Sequence, residues 1–202
     1  RGAFTINNAN VSISQSIFEN NRSEDTLNLV EVRGALEEII IQDTPSDGLD
    51  IDYGEVTISS SLFQNVGDAT GADAIDMSKS DVVIEDVFIR NITDKGISIG
   101  EGSIANISNL DISSAFVGIV AKDSSKVYAK NVKLQDMIFA DTMAYRKKPH
   151  FDGATLKIDE LYTLLDNHVV QHKSSATIDE IPIQSKKVDI DALYDDLMLS
   201  IK

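Results

Sequence analysis

The chain has 202 residues, of which 33 are acidic and 18 are basic, so its formal charge is −15 at pH 7. This charge argues against partners with anionic surfaces, namely nucleic acid and membrane headgroups. The sequence has no cysteine, which excludes disulfides, thiolate nucleophiles and cysteine-ligated zinc. It also has no apolar run of the ~18 residues that a transmembrane helix would need.

One short phrase recurs along the chain, with a charged residue, a small residue and then an apolar, a polar and an apolar residue. Within each repeat the apolar residues alternate in short runs that are broken by Gly, Asn, Asp and Ser, which indicates strands rather than helices. Three short strands per repeat are typical of one coil of a parallel β-helix, whose coils stack about 4.8 Å apart. We therefore predict that the apolar anchors of the phrase stack in one interior column; they are Leu27, Leu49, Ile75, Ile97, Ile119 and Met143, with a fainter copy at Val169.

A second column supports this register at the corners of the coils. Asn21, Asp43 and Asn91 each stand six residues before an anchor, and Asn65 fits the same place in the longer third repeat. Side chains of this type can hydrogen-bond to one another or to the backbone of a turn. We expect them to mark one corner of the β-helix.

The last residues have a different pattern. Ile190, Leu193, Leu197 and Ile201 lie on one face of a helix. We predict two parts, a parallel β-helix over residues 1–185 and a C-terminal capping helix over 186–202, centred on Asp189–Ile201. Such a helix would cover the open apolar end of the stack. Because the chain starts at Arg1 without a Met, we expect further domains N-terminal to it.

The repeats SDGLDID, GADAIDMSKS, DKGISIGE and GIVAKDSS, together with YRKKPHF, carry a resemblance to known proteins. The coil pattern resembles the right-handed parallel β-helices of the pectate-lyase-like superfamily. The phrases themselves look like a repeat region of large secreted bacterial proteins that often carry a spore-coat-kinase-like domain. The resemblance implies an all-β, right-handed parallel β-helix of about seven to eight coils of 22–26 residues, and a secreted or cell-surface location.

Acidic residues recur beside the anchors. Side chains next to an inward anchor point outward, so Asn28, Asp50, Asp76 and Ser98 should form one exposed row, and Asp25, Asp47, Asp73 and Lys95 a second row beside it. Dense carboxylates suit Ca²⁺, which prefers six to eight oxygen ligands. The alternative is that they bond to turn backbone and to neighbouring lysines without a metal. The candidate metal ligands are Asp47, Asp50, Asp52, Asp73 and Asp76.

Basic residues replace the acidic ones in later repeats. Removal of a proton from a uronate needs a cation that neutralises its carboxylate and a base, and a lysine with a lowered pKa can be that base. Lys95, Lys122, Arg146, Lys147 and Lys148 are candidates, with Tyr145 as a proton donor. The alternative is a solvated turn with scattered lysines.

Two functions follow from these features. The first is a non-catalytic module for carbohydrate binding, adhesion or surface assembly, whose partner is a polysaccharide or a cell-surface component. The second is a polysaccharide lyase or epimerase that acts on an acidic, uronate-containing polysaccharide. The absence of a complete catalytic constellation favours the first.

Overall fold

The computed structural model describes residues 2–68, 71–190 and 192–193. In these ranges the chain forms sixteen strands, and no helix there is long and apolar enough to span a membrane. The strands are β1 (Phe4–Ser14), β2 (Ile17–Glu19), β3 (Asp25–Glu37), β4 (Ile40–Thr44), β5 (Asp47–Asp52), β6 (Glu55–Ser59), β7 (Leu62–Val66), β8 (Ile75–Ser78), β9 (Asp81–Gly100), β10 (Ile104–Lys122), β11 (Lys126–Gln135), β12 (Ala140–Tyr145), β13 (Thr155–Thr163), β14 (His168–Val170), β15 (Ser175–Ile178) and β16 (Ile181–Pro182).

The strands form a parallel β-helix of about eight coils, as the repeats predict. Each coil pairs with the next in parallel, and long strands bend around corners from one sheet into another. β10, for example, pairs with β11 through its first part and with β12 through its last part. At the C-terminal end β16 turns back and pairs with β15 antiparallel.

The predicted interior column is confirmed for its first five members. Leu27 pairs with Leu49, Leu49 with Ile75, Ile75 with Ile97, and Ile97 with Ile119. All five side chains are fully buried in the main core. The register of these coils is therefore the predicted one, and because side chains alternate along a strand, the residues next to these anchors face outward.

The prediction is wrong for Met143. Ile119 pairs with Thr142, whereas Met143 pairs with Val120 and with Val169, which puts Met143 in the outward row. Met143 is nevertheless fully buried, because a second apolar cluster lies on this outer face. Its buried members are Phe116, Val117, Val120, Ala140, Met143, Tyr145 and Ile190.

The C-terminal segment provides the cover for this outer face. Lys186 forms an isolated parallel bridge with Gln171, and Ile190 packs into the second cluster with Val188 beside it. At Asp189 a helical turn begins, because the Asp189 carboxylate accepts a hydrogen bond from the backbone N–H of Ala192 at 3.2 Å. Most of the predicted capping helix lies outside the described residues, and its described part covers the side of the later coils.

Side-chain ladders stabilise two corners. At one corner Asn65 donates to the Asp43 carboxylate at 2.8 Å and Asn91 donates to Asn65 at 3.0 Å, and all three residues have a φ near +54°. The predicted column is thus found for these three residues. The prediction is wrong for Asn21. Glu19 pairs with Gln42, so the next residue, Asn20, stands opposite Asp43 at this corner. Asn21 donates to the Thr44 hydroxyl instead.

A second corner carries a similar ladder of side-chain hydrogen bonds, which the repeats do not predict. Asn109 donates to the Asp86 carboxylate and Asn131 donates to Asn109, both at 2.8 Å. These residues also have positive φ values, which Asn and Asp adopt more readily than other residues with a side chain. Left-handed corners therefore explain why Asn and Asp recur there.

The buried column gives a direct test of the fold. Ile97→Asp should lower the free energy of unfolding by about 4 kcal/mol or more, or prevent folding, because it places an unpaired charge in the core. Ile138→Asp is the matched control, since Ile138 is 70% exposed, and it should change stability by less than about 0.5 kcal/mol. Urea denaturation measures both, and similar losses for the two variants would contradict the register.

Candidate functional site

The outer face of the sheet that contains β3, β5 and β8 carries the predicted polar rows. Asn28 pairs with Asp50, Asp50 with Asp76, and Asp76 with Ser98, which form the acidic row. In the next two coils the same row continues as Val120 and Met143, and there it lies under the C-terminal segment. The acidic row is thus the uncovered half of a row whose other half is apolar and buried.

The flanking row is held together by hydrogen bonds between coils. Asp25 pairs with Asp47, whose carboxylate accepts the backbone N–H of Asp73 at 2.8 Å. The Asp73 carboxylate accepts the backbone N–H of Lys95 at 3.1 Å, and the Lys95 ammonium is also 3.1 Å from it. Lys95 makes a second ion pair with Asp94. The lysine therefore neutralises part of the flanking row without a metal, as the second of the two predicted alternatives requires.

The acidic row is compensated from both of its ends. The Asn28 side-chain amide donates to Asp50 at 2.7 Å and to Asp25 at 3.1 Å. From the other end the Lys122 ammonium reaches Asp76 at 3.5 Å. The Lys122 side chain lies across Gly100, where a Cβ would stand 2.7 Å from Lys122 Cε. Gly100 thus makes room for a lysine that reaches a carboxylate two coils away.

Burial raises the pKa of five carboxyl groups on this face. Burial, together with the charge of Asp73, raises the pKa of Asp47 to about 7. Burial, together with the charge of Asp52, raises the pKa of Asp50 to about 8. Burial is also the first cause of the raised pKa values of Asp25, Asp52 and Asp73. At neutral pH a large fraction of Asp47 and Asp50 is therefore protonated and can donate as well as accept hydrogen bonds.

Ser98 ends the polar part of the row. Its side chain is fully buried, and its hydroxyl has no hydrogen-bond partner among the described residues. It lies between Asp76 and Val120 in the register, at the boundary between the open and the covered parts of the row. A buried hydroxyl without a partner is costly, and Ser98 is the last polar residue before the covered part of the row.

The five predicted metal ligands lie on one patch, and an oxygen of Asp47, Asp50, Asp73 and Asp76 already has a partner. The Asp47 and Asp73 oxygens accept backbone N–H groups, and two ammonium groups sit beside Asp73 and Asp76. Within the described ranges no group of three acidic or histidine side chains is arranged to hold a metal ion. Lysines hold the places beside Asp73 and Asp76 that a cation would take, which disfavours Ca²⁺ at those two carboxylates. Whether Ca²⁺ binds elsewhere on the patch is tested below by the melting temperature.

The predicted catalytic residues fall into two groups. Lys95 and Lys122 lie beside the acidic row and are engaged in ion pairs. Arg146 and Lys147 are exposed and line a separate cavity. The repeat spacing predicts Arg146 in the place that Lys122 holds one coil earlier, but this prediction is wrong, because Tyr145 pairs with Lys122 and is 2% exposed. Tyr145 is thus too deeply buried to be a surface proton donor.

Two features of the patch were missed by the sequence reasoning. Asp94, which pairs with Lys95, opens the phrase DKGISIGE at a place where the two preceding copies have Ser46 and Ala72, so the repeat does not predict an acid there. Lys148 forms an ion pair with Glu101, which raises the pKa of Lys148 and places a further cation near Asp52. The basic run YRKKPHF was the signal for Lys148, but only the fold shows which acid it meets.

Comparison with known families gives one match. A family described as the right handed beta helix region matches residues 25–179. No curated protein and no solved structure matches the chain.

The raised pKa values predict how stability depends on pH. In the unfolded chain Asp50 titrates near pH 4, but in the fold it keeps its proton until about pH 8. The stability that protonation of Asp50 contributes is therefore complete below about pH 4 and is lost as the pH rises to about 8. Asp50→Asn should leave stability nearly unchanged at pH 4 and raise it by about 1 kcal/mol at pH 9, after discounting for solvent screening.

Urea denaturation at both pH values measures this difference. Asp81→Asn is the control, because Asp81 is exposed on another face, and its effect should be the same at both pH values. A difference between Asp50→Asn and the original protein that does not grow with pH would contradict the assignment.

Calcium can be tested separately. We expect calcium to leave the melting temperature unchanged, because Lys95 and Lys122 already neutralise the carboxylates that would bind it. A calcium-dependent rise that disappears in the Asp50→Asn, Asp76→Asn double variant would instead establish a metal site, since a ligand that binds only the folded state stabilises it.

Proposed function

Since the chain belongs to the right-handed β-helix family, we propose that it is a carbohydrate-binding module whose acidic face holds an uncharged or amino-bearing polysaccharide. The observation that carries the proposal is the repetition of one polar outward group per coil, at Asn28, Asp50 and Asp76. Adjacent coils are about 4.8 Å apart, which is close to the length of one sugar unit. A polysaccharide laid along the axis would meet an equivalent group at each sugar.

The protonation of the face supports this ligand class. Asp47 and Asp50, with pKa values raised to about 7 and about 8, are partly protonated at neutral pH. A mixture of carboxyl and carboxylate groups can both donate to and accept from sugar hydroxyls. A sugar amine would add a favourable ion pair with those carboxylates that are ionised. A uronate would instead be repelled by the same groups.

The setting of the module is part of the proposal. A rigid β-helix can serve as a binding or adhesive part of a longer secreted or cell-surface protein, where polysaccharides are abundant. The resemblance to pectate-lyase-like β-helices supports a carbohydrate as the partner. The acidic surface favours neither nucleic acid nor anionic membranes.

The alternative is a lyase or epimerase that acts on a uronate polysaccharide. It would use Lys95 or Lys122 as base and charge neutraliser, and the observation that favours it is that both ammonium groups reach the acidic patch. Both lysines, however, are paired with aspartates. A uronate carboxylate would have to displace Asp73 or Asp76 before either lysine could act.

The test is binding of defined oligosaccharides by isothermal titration calorimetry. We expect chitosan or uncharged β-glucan oligosaccharides to bind at the acidic row. Polygalacturonate oligosaccharides should not bind there, so any affinity that they show should be unchanged in the Asp50→Asn, Asp76→Asn double variant. Asp50→Asn with Asp76→Asn should weaken binding of an amino oligosaccharide about tenfold or more, which is the effect of losing charge-assisted hydrogen bonds. Asp81→Asn should not change it.

Two outcomes would count against this function. The first is an equal loss of affinity for all three oligosaccharide classes in the double variant, which would show that the acidic row does not select the ligand. The second is binding of polygalacturonate with release of an unsaturated product that absorbs in the ultraviolet, which would establish the lyase instead.

A further inference from the structure

A second site lies away from the acidic row. A cavity of about 620 Å³ opens between the loop after β12, the turn after β14 and the C-terminal segment. Its charged lining consists of four basic residues and one acidic residue, which are Arg146, Lys147, Lys173, Lys187 and Asp189. These five come from three separate stretches of the chain, so the cavity exists only because the β-helix brings these stretches together.

The charge of this cavity is opposite to that of the protein. The chain carries 33 acidic and only 18 basic residues, yet four of its basic residues converge here. Among the described residues none of these four cations forms an ion pair, whereas Lys95, Lys122 and Lys148 all do. Asp189 is the one carboxylate among the lining residues, and it accepts the backbone N–H of Ala192. Four cations against one carboxylate leave the lining with a net charge of +3.

The cavity is built on fixed backbone. The side chain of Gln171 accepts the backbone N–H of Arg146 at 2.8 Å and donates to the backbone carbonyl of Val188 at 3.1 Å. It thus ties the basic loop to the C-terminal segment. The backbone N–H of His172 donates to the backbone carbonyl of Lys186 at 2.7 Å and ties the turn after β14 to the C-terminal segment.

A buried carboxylate fixes the basic loop from below. Asp123 is fully buried, and one of its oxygens accepts the backbone N–H groups of Lys147 and Lys148, both at 2.7 Å. The loop is therefore held in one conformation before any ligand arrives, which lowers the entropic cost of binding.

We infer that this cavity binds an organic oxyanion, that is, a small molecule or sugar end that carries a carboxylate, sulfate or phosphate group. Its volume falls in the range of small-molecule sites, roughly 300–1,000 Å³, and exceeds what an inorganic ion needs. Val188 and Ile190 add apolar lining for the body of the ligand. Arg146 can bind an oxyanion through two parallel hydrogen bonds, and the lysines supply further charge.

The experiment is calorimetric titration at fixed ionic strength with four probes: glucose, glucuronate, glucose 6-phosphate and inorganic phosphate. We expect glucuronate and glucose 6-phosphate to bind, inorganic phosphate to bind more weakly, and glucose not to bind. The sugar acid and the sugar phosphate distinguish a carboxylate from a phosphate as the preferred group. Binding of inorganic phosphate as tight as that of both sugar anions would overturn the organic part of the inference.

Charge-neutralising variants test the location. Arg146→Gln and Lys187→Gln should each weaken binding of the better sugar anion about tenfold, the effect of one charge-assisted hydrogen bond. Both residues are exposed, so the variants should keep the original melting temperature. Lys126→Gln is the matched control, because it removes one exposed lysine elsewhere on the surface. It should leave the affinity unchanged.

Either of two results would overturn the site. No binding of any anion by the original protein would do so, and so would an equal loss of affinity in all three variants, which would indicate diffuse attraction. The outcome is independent of the carbohydrate test, because the Asp50→Asn, Asp76→Asn variant should still bind the anion as the original protein does.

Discussion

The constraint on which the rest of this structure depends is the parallel stacking of backbone at one strand spacing. Once Leu27, Leu49, Ile75 and Ile97 stack in register, every outward residue also stacks on its equivalent in the next coil. This repetition is favourable for the apolar column. It is unfavourable for carboxylates, because it holds like charges about 5 Å apart. The fold therefore creates the electrostatic problem that its side chains then have to resolve.

The resolution is visible along the acidic face. Asn28 donates to two aspartates at one end, Lys95 and Lys122 bring cations from later coils, and burial lets Asp50 keep a proton at neutral pH. None of these devices needs a metal ion. They leave a surface that is rich in both donors and acceptors, which is what recognition of hydroxyl groups requires.

The sequence predicted the fold because the period of the repeats carries the register. Prediction from the repeat failed where contacts outside the repeat decide which residues are buried. An outward residue is normally polar, so the apolar Met143 was assigned to the interior; in the fold both faces of its strand are buried, one by the core and the other by Ile190. The same shift of one residue put Arg146 in the place that Tyr145 occupies. Two other features depend on distances between separate coils, which the spacing of residues along the chain does not predict. One is the ion pair of Lys122 with Asp76, for which Lys122 reaches across Gly100. The other is the cavity that Arg146 and Lys187 line together.

One row of the β-helix explains why two sites of opposite charge can coexist on a single rod. From Asn28 to Asp76 the row is polar and open, Ser98 is polar but buried at the boundary, and from Val120 to Met143 the row is apolar and covered. The cover is the C-terminal segment, and its far side, with Lys187, forms a wall of the basic cavity. Apolar residues in an outward row therefore have two consequences: they end the acidic face, and they anchor the segment that completes the cationic one.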